Sequence, residues 1–298
     1  MKQHVFLMRL SALLSIGVSG TLIVLKLCAF LLTGSLSILS TLIDSCLDLL
    51  VALINALAIY LSLKPADKQH RFGHGKAEAI GSFVQAVFLF ISAVYLLFES
   101  YRHFQNDTQL THLPTGVAVM VISIVLTLAL TYIQRRIISK THSMAVMCDC
   151  VHYMGDSFMN LGVLCSLGLS YWLGWHWVDE VFAAGVSVYL FHSSCVIFRR
   201  VSDILMDREL DSQVRSNIKK LAMIDKDVYG ISQLKTRSTG AKMFIQFHVR
   251  MNKALDLQQA HDLCQRIEQA IRSAFPQAEV MIHPVPTKQN KFCRLRFK

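Results

Sequence analysis

Long apolar segments occupy the first two thirds of this chain and constrain its fold more than any other feature. A helix needs about 20 largely apolar residues to cross the roughly 30 Å hydrocarbon core of a bilayer. We therefore predict a membrane protein with six transmembrane helices rather than a soluble globular enzyme. The six candidate spans cover residues 10–32, 35–62, 78–100, 115–134, 143–171 and 178–199.

Charged residues divide the chain into two parts of different character. Residues 1–200 hold 23 Asp, Glu, Lys and Arg side chains, whereas residues 201–298 hold 27. Only 17% of the whole chain is charged, against about 25% in soluble domains. We predict a transmembrane domain over residues 1–206 and a water-soluble domain over residues 207–298.

The soluble part shows helical and strand periodicity in alternation. Its apolar pattern predicts a small α/β domain of order αββαβ, ferredoxin-like, with an open sheet covered by helices on one face. The predicted helices cover residues 210–223 and 257–273, and the predicted strands cover 228–237, 243–251 and 279–283.

Basic residues are concentrated in alternate loops, which predicts the orientation in the membrane. The loops after spans two and four and the end of span six are rich in Lys and Arg, so both termini are expected to be cytoplasmic. The short chain, without a targeting extension, favours the bacterial inner membrane. The net charge is +10, but the basic residues do not form a patch interleaved with aromatic side chains. We therefore expect contact with membrane lipid and none with nucleic acid.

Two predicted spans carry ionisable pairs, which are costly in a bilayer and usually functional. Asp44 and Asp48 lie in span two, and His152 and Asp156 in span five. Each pair is spaced i, i+4, so both members share one helix face, about 14–20 Å deep by helical rise. Three carboxylates and one imidazole suit a four-coordinate divalent transition metal, with Zn²⁺ favoured. The alternative is a set of polar residues bonded to neighbouring helices.

Two further ionisable residues lie within spans without an assigned function. Asp149 is one turn before His152 and either extends the site or is part of a polar helix interface. Lys26 in span one either extends to the membrane surface or pairs with an acidic group.

The loop between spans two and three contains a second cluster of ligand types. Asp67, His70 and His74 have the spacing D-x2-H-x3-H, which is compatible with a three-ligand metal site. Solvated histidines in a basic loop are the alternative interpretation of the same spacing.

Three segments resemble the cation diffusion facilitator family, nearest to its bacterial zinc and iron efflux branch. They are SLSILSTLIDSCLDLL at 35–50, KPADKQHRFGHGKAEA at 64–79 and CDCVHYMGD at 148–156. The resemblance extends over essentially the whole chain. It implies a homodimer that exports divalent metal ions in exchange for protons. It also implies a transport site formed by Asp44, Asp48, His152 and Asp156.

The same resemblance assigns expectations to the loop and to the soluble domain. It implies a regulatory or structural ion at Asp67, His70 and His74, and a salt bridge between Lys76 and Asp207 that ties the spans to the soluble domain.

In the soluble domain, His248, His261 and His283 match the positions of a dinuclear metal site. The sequence departs from that pattern at Ser232, where a histidine is expected, and at Val285, where a bridging carboxylate is expected. We therefore expect one ion or none there. Surface histidines on a sheet are the alternative interpretation.

Two other classes of function use the same residues. One is a membrane-embedded metalloenzyme, but HExxH and GxSxG motifs are absent from the sequence. The other is a metal sensor that signals through its soluble domain. No GxxxxGK[ST] motif is present, so ATP-driven pumping has no support. The sequence favours a proton-coupled exporter of Zn²⁺, with Cd²⁺ and Fe²⁺ as further substrates, and neither an enzyme nor a catalytic cofactor.

Overall fold

The computed structural model describes residues 2–34, 36–105, 114–173, 178–240 and 242–287. The chain divides into two compact units, Met1–Ser202 and Asp203–Lys298.

Six long helices form the first unit, as the apolar segments predicted. Within the described ranges, α1, α2, α3, α4 and α6 are long and apolar enough to cross a membrane. The remaining helix, α5, carries Asp149, His152 and Asp156 in its first half. The helices are α1 (Lys2–Thr33), α2 (Leu36–Ser62), α3 (Lys76–Gln105), α4 (Pro114–Thr141), α5 (Met144–Leu173) and α6 (Val178–Leu205).

Helix α1 packs against α2, α4 and α5, and α3 packs against α2 and α5. Helix α6 joins α3 through a ring contact of Phe90 with Phe191 and a hydrogen bond from Ser187 Oγ to the carbonyl of Ala93. A Cβ atom at Gly81 of α3 would lie 2.2 Å from Cβ of Ala58 of α2. The missing side chain therefore allows these two helices to approach closely.

Large apolar side chains cover much of the outer surface of the first unit. Leu13 is 67% exposed, Leu32 is 83% exposed and Val188 is 63% exposed. Exposure of this extent would be unfavourable in water, and it suits helices that contact lipid. In contrast, buried serines such as Ser15 and Ser19 line the inner face of α1.

The second unit confirms the predicted αββαβ order. Strand β1 pairs antiparallel with β2, and β2 pairs parallel with β3, which gives the sheet order β1-β2-β3. Every second residue of β2, from Ile245 to Met251, packs against buried residues of the two helices of this unit, and together they form one apolar core. The elements are α7 (Ser212–Ala222), β1 (Val228–Ser238), β2 (Met243–Asn252), α8 (Leu257–Ala274) and β3 (Ala278–Thr287).

Candidate metal site

Three of the four predicted intramembrane ligands meet between α2 and α5. Nε2 of His152 lies 3.0 Å from Oδ1 of Asp48 and 3.8 Å from Oδ2 of Asp156. One ligating atom from each residue lies within 4.8 Å of the other two. All three side chains are partly buried, with exposed fractions between 17% and 34%. Two carboxylates and an imidazole at these distances can bind one divalent cation.

The helical period explains why these side chains share one face. On α5, Asp149, His152 and Asp156 follow one another at spacings of three and four residues, so they form one stripe along the helix. On α2, the buried Ser45 precedes Asp48 by three residues and belongs to the same inner face. The site therefore lies where the polar stripes of two helices meet.

Asp44 lies apart from this cluster. It is one turn before Asp48 on α2 and is exposed at the surface of the helical unit. Among the described residues, the cluster contains Asp48, His152 and Asp156 and does not contain Asp44.

A buried polar network lies one turn before His152 and centres on Asp149, which is 1% exposed. Asp149 Oδ2 accepts hydrogen bonds from Ser15 Oγ of α1 and, at 2.7 Å, from Gln134 Nε2 of α4. Its Oδ1 accepts a longer bond of 3.5 Å from Gln85 of α3. One carboxylate thus connects four helices. The structure supports the polar-interface interpretation of Asp149, and the glutamines within apolar spans were the sequence signal for its partners.

The structure brings the three side chains of the loop cluster together. Asp67 Oδ1 lies 3.3 Å from His70 Nδ1, and Asp67 Oδ2 lies 3.4 Å from His74 Nε2. The ligating atoms of the three residues lie within 4.8 Å of one another. Oδ1 of Asp67 also accepts backbone N–H bonds from His70 and Gln69. These bonds, that of His70 foremost, lower the pKa of the Asp67 carboxyl and keep it ionised.

The soluble domain brings two of its three predicted histidines together. His248 on β2 and His283 on β3 are register partners, and their ring centroids lie 4.6 Å apart. Ser232 on β1 is the register partner of His248 on the other side. His261 lies exposed on α8, within the helical layer. Within the described residues, these histidines do not form a three-ligand group.

Asp207 has a partner that the sequence did not indicate. Its Oδ2 lies 3.2 Å from Nη1 of Arg237 on β1, and the Arg237 guanidinium lies 4.9 Å from the centroid of the Phe244 ring. Lys76 belongs to the other unit, so its pairing with Asp207 stays a prediction.

A bundle of membrane-spanning helices with a cation-ligand cluster inside it, followed by a small α/β domain, defines a class of membrane transporters for cations. Residues 12–206 match the cation efflux transmembrane domain, and residues 210–287 match the cytoplasmic domain of cation efflux proteins. The chain therefore belongs to the cation efflux family, also called the cation diffusion facilitator family.

Curated relatives support this assignment over nearly the full length. The chain is 39% identical to the cation-efflux pump FieF of Shewanella oneidensis over 286 residues, which cover 96% of each chain. It is 38% identical to FieF of Klebsiella pneumoniae over 277 residues, which cover 93% of this chain and 92% of the relative.

Two solved structures also resemble parts of the chain. The Zn form of CzrB is 30% identical, covers 29% of this chain and 99% of its own, and gives a TM-score of 0.27. A cadmium form of the MamM CTD is 18% identical, covers 26% of this chain and 98% of its own, and gives a TM-score of 0.25.

Family membership establishes the general function. The chain is a multi-pass membrane transporter for cation efflux, and the expectation that it is not an enzyme is confirmed.

Proposed function

We propose that the chain exports divalent transition metal ions from the cytosol in exchange for protons, with Zn²⁺ as the preferred substrate. The observation that carries the proposal is the meeting of Asp48, His152 and Asp156 between two helices of a cation efflux transporter. Mixed imidazole and carboxylate ligands suit Zn²⁺ and also accept Cd²⁺ and Fe²⁺. These cations are substrates, and no catalytic cofactor is involved.

Asp44 completes the proposed ligand set. Its position one turn from Asp48 puts its carboxylate on the same side of α2. A change of its side-chain rotamer, or a small rotation of α2, brings the fourth ligand to a bound cation. Alternating access then consists of movement of α2 and α5 that opens the same four ligands to one side of the membrane at a time.

Proton coupling follows from the chemistry of these ligands. An imidazole nitrogen or a carboxylate oxygen that binds a metal must first lose its proton. Metal and protons therefore compete for the same atoms. If the site opens alternately to the two sides, metal leaves on one side when protons replace it and protons leave on the other side when metal replaces them.

Orientation and assembly are part of the same proposal. The basic loops favour cytoplasmic termini, and we assign the chain to the inner membrane of a bacterial cell. The chain acts as a homodimer, in line with its family's cytoplasmic domain. A Lys76–Asp207 salt bridge connects the two domains, which we assign to residues 1–206 and 207–298.

The loop cluster is proposed as a structural or regulatory ion site. Asp67, His70 and His74 provide three ligands at a hydrogen-bonded turn, and the Asp67 carboxylate is kept ionised. In the soluble domain, His248 and His283 bind at most one ion, because Ser232 and Val285 supply no imidazole or carboxylate. This weak site makes a function as a metal sensor less favourable than transport.

The proposal is tested by uptake of Zn²⁺ into proteoliposomes with and without an imposed pH gradient. The native chain should show uptake that the gradient increases, and Asp48→Ala should abolish it. Asp262→Ala is the control, because this carboxylate lies on α8 of the soluble unit and accepts a hydrogen bond from Gln258 of the same helix. Gradient-dependent uptake by Asp48→Ala at the native rate would contradict the site assignment. Tight Zn²⁺ binding without flux in the native chain would favour the sensor.

A further inference from the structure

The side chain of Lys26 lies on the inner face of α1. The buried residues Ser15, Ser19 and Leu22 precede it at spacings of four and three residues, which is the period of one helix face. Lys26 itself is half-buried. A lysine on this face is directed into the bundle and not toward lipid.

Lys26 is held by α2. Its Nζ donates hydrogen bonds of 2.9 Å to the carbonyl oxygen of Thr41 and 2.7 Å to Oγ of Ser45. Ser45 is fully buried and lies between Asp44 and Asp48 in the sequence of α2. The ammonium group is therefore fixed about one helical turn, roughly 5 Å along the axis, from the level of Asp48.

The register of α1 against α5 places Lys26 relative to the other ligands. Ser15 bonds Asp149 and Ser19 bonds Tyr153, both with an offset of 134 residues. The same offset of 134 residues puts Leu22 of α1 level with Asp156 of α5. Lys26 follows Leu22 by four residues, so it lies one helical turn beyond the level of Asp156. Its charge interacts with the carboxylates of Asp48, Asp156 and Asp44.

We propose that Lys26 sets the affinity and the release rate of the transported cation through its fixed positive charge. This inference rests on the proposed transport site. Three ionised carboxylates, one divalent cation and one ammonium group sum to zero charge, so the loaded site is neutral in the low-dielectric bundle. A neutral loaded site avoids the cost of a buried net charge.

The same charge prevents the site from binding its substrate too tightly. Transport requires binding that is strong enough for the ion to enter and weak enough for it to leave. For a unit charge about 10 Å from a divalent cation, Coulomb's law gives about 250-fold lower affinity at an effective dielectric of about 20. Water and ions that reach the site screen this repulsion, so the affinity is lowered at least about tenfold. Lys26 is thus a positioning residue that acts on the cation without coordinating it.

The experiment compares Lys26→Gln with Lys26→Arg in the full chain. Glutamine keeps a donor for Thr41 and Ser45 but removes the charge, whereas arginine keeps the charge. Cd²⁺ binding is measured by calorimetry at mildly alkaline pH, and only the component that Asp48→Asn removes is assigned to the transport site. Lys26→Gln should bind Cd²⁺ at least about tenfold more tightly and transport it more slowly. Lys26→Arg should stay within about threefold of the native affinity.

Each outcome decides between the charge and a merely structural function. A structural lysine would give weaker binding together with slower transport in Lys26→Gln, and this result would overturn the proposal. Equal affinity in the two variants would also overturn it. Folding is checked by size-exclusion chromatography, with Lys26→Met as a second neutral variant. If both neutral variants fail to elute at the native volume and Lys26→Arg elutes there, Lys26 is structural and the proposal is wrong. Persistence of all Cd²⁺ binding in Asp48→Asn would instead refute the proposed transport site.

Discussion

Removal of the Asp149 carboxylate should destabilise the helical unit. In Asp149→Ala, the hydroxyl of Ser15 and the amide of Gln134 lose the acceptor that they share in the native protein. Both donors are buried, with exposed fractions of 1% and 0%. The Gln85 bond, at 3.5 Å, contributes little.

The size of the effect follows from the two short bonds. A hydrogen bond between membrane helices contributes about 0.6 kcal/mol on average and about 1.7 at most. Neither donor is left without a partner, because Ser15 Oγ can still donate to the carbonyl of Ser11 and Gln134 Nε2 can still donate to Ser15 Oγ. The two lost bonds therefore give a loss of about 1–3 kcal/mol in the free energy of unfolding for Asp149→Ala. Asp149→Asn keeps one acceptor oxygen, which can take the place of Oδ2 and accept from both Ser15 and Gln134, so a loss of less than about 1 kcal/mol is expected.

Reversible unfolding by SDS titration in mixed micelles, followed by tryptophan fluorescence, measures this free energy. Ser123→Ala is the matched control, because Ser123 is buried but its hydroxyl bonds the carbonyl of Val119 within its own helix. The control should lose less than about 0.5 kcal/mol. A loss in Asp149→Ala no larger than that in Ser123→Ala would refute the view that this carboxylate joins the helices.

Three further predictions test separate parts of the structure. Gly81→Ala should destabilise the unit by about 1–3 kcal/mol, since its Cβ would meet Ala58 at 2.2 Å. Gly17→Ala, with nothing within 4 Å, should be neutral or stabilising in the same titration. His152→Asp should weaken transport of Zn²⁺ relative to Mn²⁺, a harder ion, and unchanged selectivity in a flux assay would show that His152 is not a ligand. Asp67→Asn should lose metal binding at the loop but keep the turn, because its side-chain oxygen still accepts the His70 N–H. Equilibrium dialysis compares it with Asp67→Ala, which loses the turn as well. Metal binding by Asp67→Asn at the native level would show that Asp67 supports the turn and is not a ligand.

The helices and the tail could be predicted from the sequence because hydrophobic length and periodicity determine them. The predicted span 35–62 corresponds to α2 (Leu36–Ser62), and the alternation at 243–251 corresponds to β2 (Met243–Asn252). The largest differences lie at helix ends. Helix α4 extends to Thr141, beyond the predicted end at 134, because Arg135 and Arg136 end the apolar run but are compatible with a helix.

The site could be predicted only in part. The i, i+4 spacing predicted that His152 and Asp156 share one face of α5. The depth estimated from helical rise predicted that Asp48 lies at the same level in the membrane, and the three side chains do meet. Asp44 shares one side of α2 with Asp48 but lies one turn away along the helix axis. Spacing along one helix does not determine which turn meets the neighbouring helix, so the position of Asp44 outside the cluster could not be predicted. The contacts of Lys26 and Asp149 depend on the register between α1, α2 and α5, which no single segment encodes.

The most direct test of proton-coupled export follows metal and protons in the same vesicles. Proteoliposomes with a trapped pH-sensitive dye and a trapped Zn²⁺ indicator receive Zn²⁺ outside, with no imposed pH gradient and with the membrane potential clamped. The account predicts that Zn²⁺ entry through the native chain drives protons outward and makes the interior alkaline, and that Asp48→Asn abolishes both signals. Zn²⁺ entry through the native chain with no change in internal pH would contradict antiport.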